Sequence, residues 1–181
     1  GSVRYIKQLK MLIDAVDEIN EEYNKNIKVF IAGSGPGYEE IIEYSINKTF
    51  VEIYGPYNYE KEIISLYEKV DCVYSVYDTK LHNVRIALPN RLYESIVCSI
   101  PIIGAKGTVL TKFIEDNKIG FTVDAYDKEE LKRELINIVN NKGLINLYKD
   151  NCDRIKYNFY YENNSEKLLY EYKKIIQING N

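Results

Sequence analysis

The sequence of 181 residues is poor in the side chains that bind metals or form disulfides. It has a single histidine, His82, which excludes a histidine-rich metal centre. Its three cysteines, Cys72, Cys98 and Cys152, are far apart and show neither a CxxC pair nor Cys/His ligand spacing. We therefore expect reduced cysteines that pack inside a cytoplasmic protein.

The sequence also lacks an excess of positive charge and a long apolar run. It has 24 basic and 27 acidic residues and a net charge of -3, whereas broad binding of nucleic acid needs a basic face. No run approaches the roughly 20 apolar residues that cross a bilayer, and no charged-then-apolar leader opens the sequence. We expect neither a nucleic acid partner nor a transmembrane segment.

What the sequence does contain is an alternation of short β-rich runs with stretches of helical period. This alternation is typical of a parallel sheet with helices on its faces. A length of 181 residues fits one domain, 1–181, which ends in a helical tail at 157–181. The predicted strands are 27–32, 49–54, 72–76, 100–103 and 120–123, and the predicted helices lie around 9–19, 41–46, 63–70, 92–97 and 131–139.

Loops after the strands are candidate sites, because ligands of such sheets bind at the carboxyl ends of the strands. The segment 33–37 reads Gly-Ser-Gly-Pro-Gly, and it is either an anion-binding loop or a structural turn. It resembles the dinucleotide fingerprint GxGxxG, but Tyr38 stands where the third glycine belongs. A nicotinamide- or flavin-binding domain is therefore an alternative. A long loop is predicted at 77–88, and it includes His82.

The segment 88–95 carries the clearest polar pattern. Proline favours a helix start here, so Asn90, Arg91 and Glu94 fall in the first two turns, at the ligand edge of the sheet. Arg91 and Glu94 share a face. They could form a surface ion pair, or Glu94 could accept two hydrogen bonds from a vicinal diol such as ribose. Spacing alone leaves both interpretations open.

Several segments, in order, resemble a known family. Arg4 and Lys7 precede the first predicted helix, and 30–36 and 51–55 each run from a strand into glycine. Residues 89–94 read Pro-Asn-Arg-Leu-Tyr-Glu, and 99–103 read Ser-Ile-Pro-Ile-Ile. Together they resemble the carboxy-terminal, nucleotide-sugar-binding half of a retaining GT-B glycosyltransferase of the group 1, family 4-like type. The resemblance covers nearly the whole chain.

The resemblance implies a Rossmann-like doubly wound α/β domain, which is one half of a GT-B fold, and it implies roles for individual residues. Arg4 and Lys7 would neutralise the donor pyrophosphate, and Glu94 would hold the ribose hydroxyls. The other implied nucleotide-binding positions are Gly33, Gly35, Tyr54, Gly55, Pro56, Asn90, Arg91 and Leu92. No catalytic residue is identified. The nucleotide sugar is a substrate rather than a cofactor, and we expect no metal, since no DxD-type pair lies at a strand end.

The sequence departs from the family at three positions. Ile86 stands where a first glutamate would contact the transferred sugar, Arg91 replaces the usual lysine, and Ser99 replaces a glycine. A degenerate domain that keeps the fold as an interaction module is therefore a further alternative.

The resemblance also implies parts that this sequence does not contain. Without the amino-terminal, acceptor-binding half, we expect the chain to bind a nucleoside diphosphate sugar and to transfer nothing by itself. The acceptor would be a glycan or lipid, as in bacterial-like polysaccharide biosynthesis. The tail would pack toward the missing half, through which the protein could approach a membrane. A central strand preceding Arg4 is also missing, so we expect a gap in the sheet between 27–32 and 72–76.

Overall fold

The computed structural model describes residues 1–160, and this part of the chain forms eight α-helices and five strands. The predicted helical tail lies mostly at 161–181, outside the described residues, and 156–159 form a 3-10 turn. In chain order the elements are α1 (Ile6–Tyr23), β1 (Val29–Ala32), α2 (Tyr38–Ser45), β2 (Val51–Gly55), α3 (Tyr59–Tyr67), β3 (Val73–Ser75), α4 (His82–Ile86), α5 (Asn90–Val97), β4 (Ile102–Ala105), α6 (Val109–Asn117), β5 (Gly120–Val123), α7 (Lys128–Asn140) and α8 (Lys142–Ile155).

Four of the five strands begin later than predicted, including β2 at Val51 and β3 at Val73, and for β1 and β4 the reasons are local. The Ile27 amide donates to Asn20 Oδ1 at 2.8 Å, and Asn20 Nδ2 donates to the Ile27 carbonyl at 2.9 Å, so β1 begins two residues further on. Pro101 has no N–H to donate, so β4 begins at Ile102. The bounds of β5, Gly120–Val123, are as predicted.

Three helices differ from the predictions. The short α4 lies inside the predicted loop 77–88, and α6 and α8 were not predicted as helices. The start of α6 is fixed by a capping box, in which the Thr108 hydroxyl accepts from the Thr111 amide and the Thr111 hydroxyl accepts from the Thr108 amide. Only two residues of α6, Leu110 and Ile114, are buried, which is too few to make a helical period visible in the sequence.

Helices cover both faces of the sheet that β3, β4 and β5 form in that order. Ile102 of β4 packs into one core cluster, with Ile96 of α5 and Ile114 of α6. Its neighbour Ile103 packs into the other, with Ile13 of α1. A strand that is apolar on both sides is what a parallel sheet between two helical layers requires. The predicted α/β fold is confirmed.

The sheet is interrupted between β1 and β3. β1 pairs with β2 in parallel, and β3 pairs with β4, but within residues 1–160 no ladder joins β1 to β3. The first residues form no strand there; Ser2 makes an isolated parallel bridge with Ser34. A cavity of about 550 Å³ lies at the interruption and is lined by both strands. The gap expected from the sequence is present.

Candidate functional site

The amino terminus of α5 brings three of the predicted site residues to this cavity. Asn90, Arg91 and Glu94 lie in its first two turns, and all three line the cavity. Arg4, which lies just before α1, lines it as well. One wall of the cavity is therefore polar, and it is built from two helix starts that are distant in sequence.

Arg91 is held by the backbone of β3 and not by Glu94. Its Nη1 donates to the Tyr74 carbonyl at 3.0 Å, and its guanidinium lies 6.0 Å from the centre of the Tyr77 ring. Among residues 1–160, no salt bridge within 4.0 Å involves Arg91 or Glu94. The surface ion pair considered as an alternative does not form.

Glu94 instead accepts hydrogen bonds from two tyrosines of α3. Tyr59 Oη donates to Oε1 at 2.8 Å, and Tyr67 Oη donates to Oε2 at 2.6 Å. The bond to the carboxylate, assisted by burial, raises the pKa of Tyr59 to about 12. Burial, followed by its own bond to Glu94, raises the pKa of Tyr67 well above the ordinary range. The two phenols therefore stay protonated and remain donors at neutral pH.

Sequence reasoning missed both tyrosines, whereas it considered the segment 54–57, which ends at Tyr57, as either a turn or a ligand wall. All three line the cavity, and the Tyr57 hydroxyl lies 2.9 Å from the Gly1 nitrogen. No spacing rule connects α3 with α5, because the contact depends on how the two helices pack. In the sequence, Tyr59 and Tyr67 are two of 18 tyrosines, and their spacing does not mark them as partners of Glu94.

The two predicted phosphate-binding cations lie at the start of α1 and are exposed. Arg4 Nε donates to Ser2 Oγ at 2.8 Å. Lys7 does not line the cavity but lies close enough to Asp78 to help lower the pKa of that carboxyl, which is lowered mainly by a hydrogen bond from Tyr126. Within residues 1–160 neither cation has a salt bridge, so both charges remain available to an anion.

The glycine-rich loop packs against the start of the chain. A Cβ on Gly33 would lie 1.8 Å from the Gly1 carbonyl oxygen, and one on Gly35 would lie 2.9 Å from Ser2 Oγ. The Gly33 amide donates to the Gly55 carbonyl at 2.7 Å. Neither Gly33 nor Gly35 lines the cavity. This geometry agrees with the structural-turn interpretation of the loop, and it leaves no free amide at Gly33 for a phosphate.

Four other predicted positions also lie away from the cavity wall: Tyr54, Gly55, Pro56 and Leu92. The Tyr54 hydroxyl donates to the Glu62 carboxylate, and Gly55 turns the chain with a φ of 85°. The Leu92 side chain is fully buried in a core cluster, and its amide donates to the Pro89 carbonyl at 3.0 Å. Leu92 therefore anchors α5 and presents no donor to a ligand.

Residues 1–160 contain neither a metal-ligand cluster nor a membrane-spanning helix. No group of three or more His, Cys, Asp or Glu side chains in 1–160 could hold a metal ion. No helix in the same part of the chain is long and apolar enough to span a membrane.

Comparison with known proteins connects this geometry to a family. The family described as "Glycosyl transferases group 1" matches residues 1–160. The chain belongs to this family. The resemblance carried by its sequence motifs is thereby confirmed.

Two of the proteins to which this chain is similar are much longer than the matched region. An uncharacterized glycosyltransferase of Methanocaldococcus jannaschii, MJ1069, is 24% identical over 174 residues, covering 94% of this chain and 42% of that protein. Anabaena HepE, crystallised with UDP, has a TM-score of 0.71 at 15% identity, over 91% of this chain and 44% of that one. The chain thus spans less than half the length of either relative.

A shorter crystal structure matches most of its own length. It is the C-terminal domain of LpcC, a group 1 family protein from Francisella tularensis. Its TM-score is 0.67 at 16% identity, and the match covers 89% of this chain and 84% of that one. The likeness to these structures confirms the predicted fold.

Proposed function

We propose that this chain is the donor-binding domain of a glycosyltransferase and that it binds a nucleoside diphosphate sugar. The supporting observation is the convergence of Arg4, Asn90, Arg91 and Glu94 on one cavity. HepE, which has the same fold, was crystallised with UDP and with UDP-glucose. A uridine nucleotide is therefore the first ligand to test.

Each polar residue has a role in this proposal. Glu94 accepts hydrogen bonds from the ribose hydroxyls, while Arg4 and Lys7 bind the diphosphate. Glycosyl transfer releases a nucleoside diphosphate, so cations beside it stabilise charge that grows in the transition state. Arg4 and Lys7 are exposed and have no salt bridge within residues 1–160, so no ion pair must break before they bind a diphosphate.

In our proposal, backbone groups supply the remaining contacts with the nucleotide. Residues 54–56 flank the base. The Gly35 amide, for which no hydrogen bond is found within residues 1–160, is a donor for a phosphate oxygen. Ile86 is exposed on α4, and without a carboxylate there the transferred sugar is held by other groups.

The acceptor, in our proposal, binds to a part of the protein outside this chain. The chain spans 42% of MJ1069 and 44% of HepE, which leaves room for a second domain. Transfer requires donor and acceptor to be held in reacting geometry. This chain by itself therefore binds the donor and transfers no sugar to a glycan or lipid acceptor.

Calorimetric titration with UDP, GDP, ADP and NAD tests the proposal. We expect saturable binding of one diphosphate, weakened at least about tenfold by Arg4→Ala with Lys7→Ala, because bonds to charged groups are strong. Lys28→Ala with Lys142→Ala is the matched control, since it removes the same charge from two exposed lysines outside the cavity. An equal loss in the control would contradict a specific diphosphate site.

The same titration addresses the two alternatives. Binding of NAD alone would favour a dinucleotide site, against which the bonded Gly33 amide already counts. A folded chain that binds none of the four nucleotides would favour a degenerate interaction module.

A further inference from the structure

The bridge from Glu94 to the two ends of α3 is the polar feature that the proposed function does not explain. Tyr59 and Tyr67 are the first and last residues of α3, about 12 Å apart along the axis at 1.5 Å per residue. Their phenols nevertheless converge on a single carboxylate. This places Glu94 between the two ends of the helix, with one donor on each of its oxygens.

The two tyrosines differ in how firmly they are held. Tyr67 is 8% exposed and packs in the interior, whereas Tyr59 is 53% exposed. Rotating Tyr59 away from Glu94 therefore uncovers little apolar surface and costs one solvent-accessible hydrogen bond. Moving Tyr67 would leave a buried phenol without an acceptor. Tyr59 can therefore rotate away from Glu94 at a small free-energy cost, whereas displacement of Tyr67 has a large one.

A vicinal diol that binds a carboxylate in the way proposed donates to both oxygens. Each oxygen of Glu94 already accepts one phenol, although a carboxylate oxygen has two lone pairs. The Tyr59 hydroxyl takes one acceptor position on Oε1, and Tyr59 is the exposed member of the pair and lines the cavity that a ligand would enter.

We propose that Tyr67 is a positioning residue that fixes the Glu94 carboxylate, and that the Tyr59 hydroxyl occupies the place of one ribose hydroxyl until a nucleoside diphosphate displaces it. This rests on the proposed function, because it assumes that Glu94 binds ribose. The tyrosine pair then determines how tightly the nucleotide binds.

Two phenylalanine variants separate the roles, because each removes a hydroxyl and keeps the ring. Tyr59→Phe tightens UDP binding by about three- to tenfold, since the ligand no longer competes with a phenol, and Tyr67→Phe weakens it by about tenfold. The matched control is Tyr44→Phe, which breaks a phenol–carboxylate bond of 2.6 Å to Asp14 on α1. It leaves the dissociation constant for UDP unchanged.

Tyrosine Cζ carbon NMR provides a readout that does not require nucleotide. The signals of Tyr59 and Tyr67 are assigned from the phenylalanine variants, and we expect both to shift in Glu94→Gln. In the unmutated chain, we expect UDP to shift the Tyr59 signal and to leave the Tyr67 signal close to its chemical shift without ligand. Weaker UDP binding in Tyr59→Phe, or UDP moving both signals equally, would overturn the proposal.

The same spectra separate this proposal from the proposed function. If Glu94→Gln moves neither signal, the tyrosine proposal is wrong whether or not the chain binds UDP. If Glu94→Gln shifts both signals but the chain binds no diphosphate, the proposed function is wrong, and so is the proposal that a nucleotide displaces Tyr59.

Discussion

Adding a methyl group to Gly33 should destabilise the protein more than adding one to Gly107. Both glycines have a positive φ, 140° and 75° respectively. A Cβ on Gly107 meets nothing within 4 Å, whereas a Cβ on Gly33 would lie 1.8 Å from the Gly1 carbonyl oxygen. Gly107→Ala therefore measures backbone strain alone, and Gly33→Ala measures strain together with an overlap.

The overlap is relieved if Gly1 moves away. That movement breaks three hydrogen bonds: Gly1 N to the Ala32 carbonyl, Gly1 N to the Tyr57 hydroxyl, and Ser34 N to the Gly1 carbonyl. At about 0.5–1.5 kcal/mol each, they add about 1.5–4.5 kcal/mol. Strain at a positive φ costs about 1–3 kcal/mol. Gly33→Ala should thus lower the free energy of unfolding by about 2.5–7.5 kcal/mol, and Gly107→Ala by the strain alone, about 1–3 kcal/mol.

Urea denaturation followed by circular dichroism measures both values. Equal losses for the two variants would refute the reasoning, because they would mean that the chain start does not lie against the glycine-rich loop.

Three other perturbations test the core, the charge pairs and a helix end. Ile114→Ala, at a fully buried position of α6, should cost about 2–5 kcal/mol in urea denaturation, and Ile114→Val about 0.5–1.5 kcal/mol. A hydrogen bond from Lys106 is the main cause of the lowered pKa of Glu130. The ionised Glu130 therefore stabilises the folded chain above pH 4.5, the pKa of an unperturbed glutamate, and this stabilisation is lost as the pH falls through the lowered pKa. Glu130→Gln should therefore flatten the loss of stability below that pH in thermal melts. Lys118 ends α6 with a φ of 51°, so Lys118→Gly should raise the free energy of unfolding by about 0.5–1 kcal/mol in urea denaturation; no gain in stability would contradict a left-handed residue at this helix end.

The sheet was predictable from sequence because buried parallel strands are continuous apolar runs. β4, Ile102–Ala105, is buried at every position, and the predicted run 100–103 includes its first two residues. The strand starts were less predictable, since they depend on which group captures a backbone amide. A side chain does so at Ile27, and the missing amide of Pro101 has the same effect on β4.

The candidate site was predictable in part for a similar reason. Arg91 and Glu94 lie on one helix, so their spacing was enough to place them together. Tyr59 and Tyr67 bind Glu94 from another helix, and no local pattern encodes that contact. Leu92 faces the core although its neighbours Asn90 and Arg91 are polar, because successive residues of a helix point in different directions.

A crystal structure of this chain with UDP is the decisive test of the proposed binding site. We expect a ribose hydroxyl within hydrogen-bond distance of Glu94, with the Tyr59 hydroxyl displaced, and the diphosphate beside Arg4 and Lys7. UDP bound at another surface, with Glu94 still bonded to both tyrosines, would contradict it.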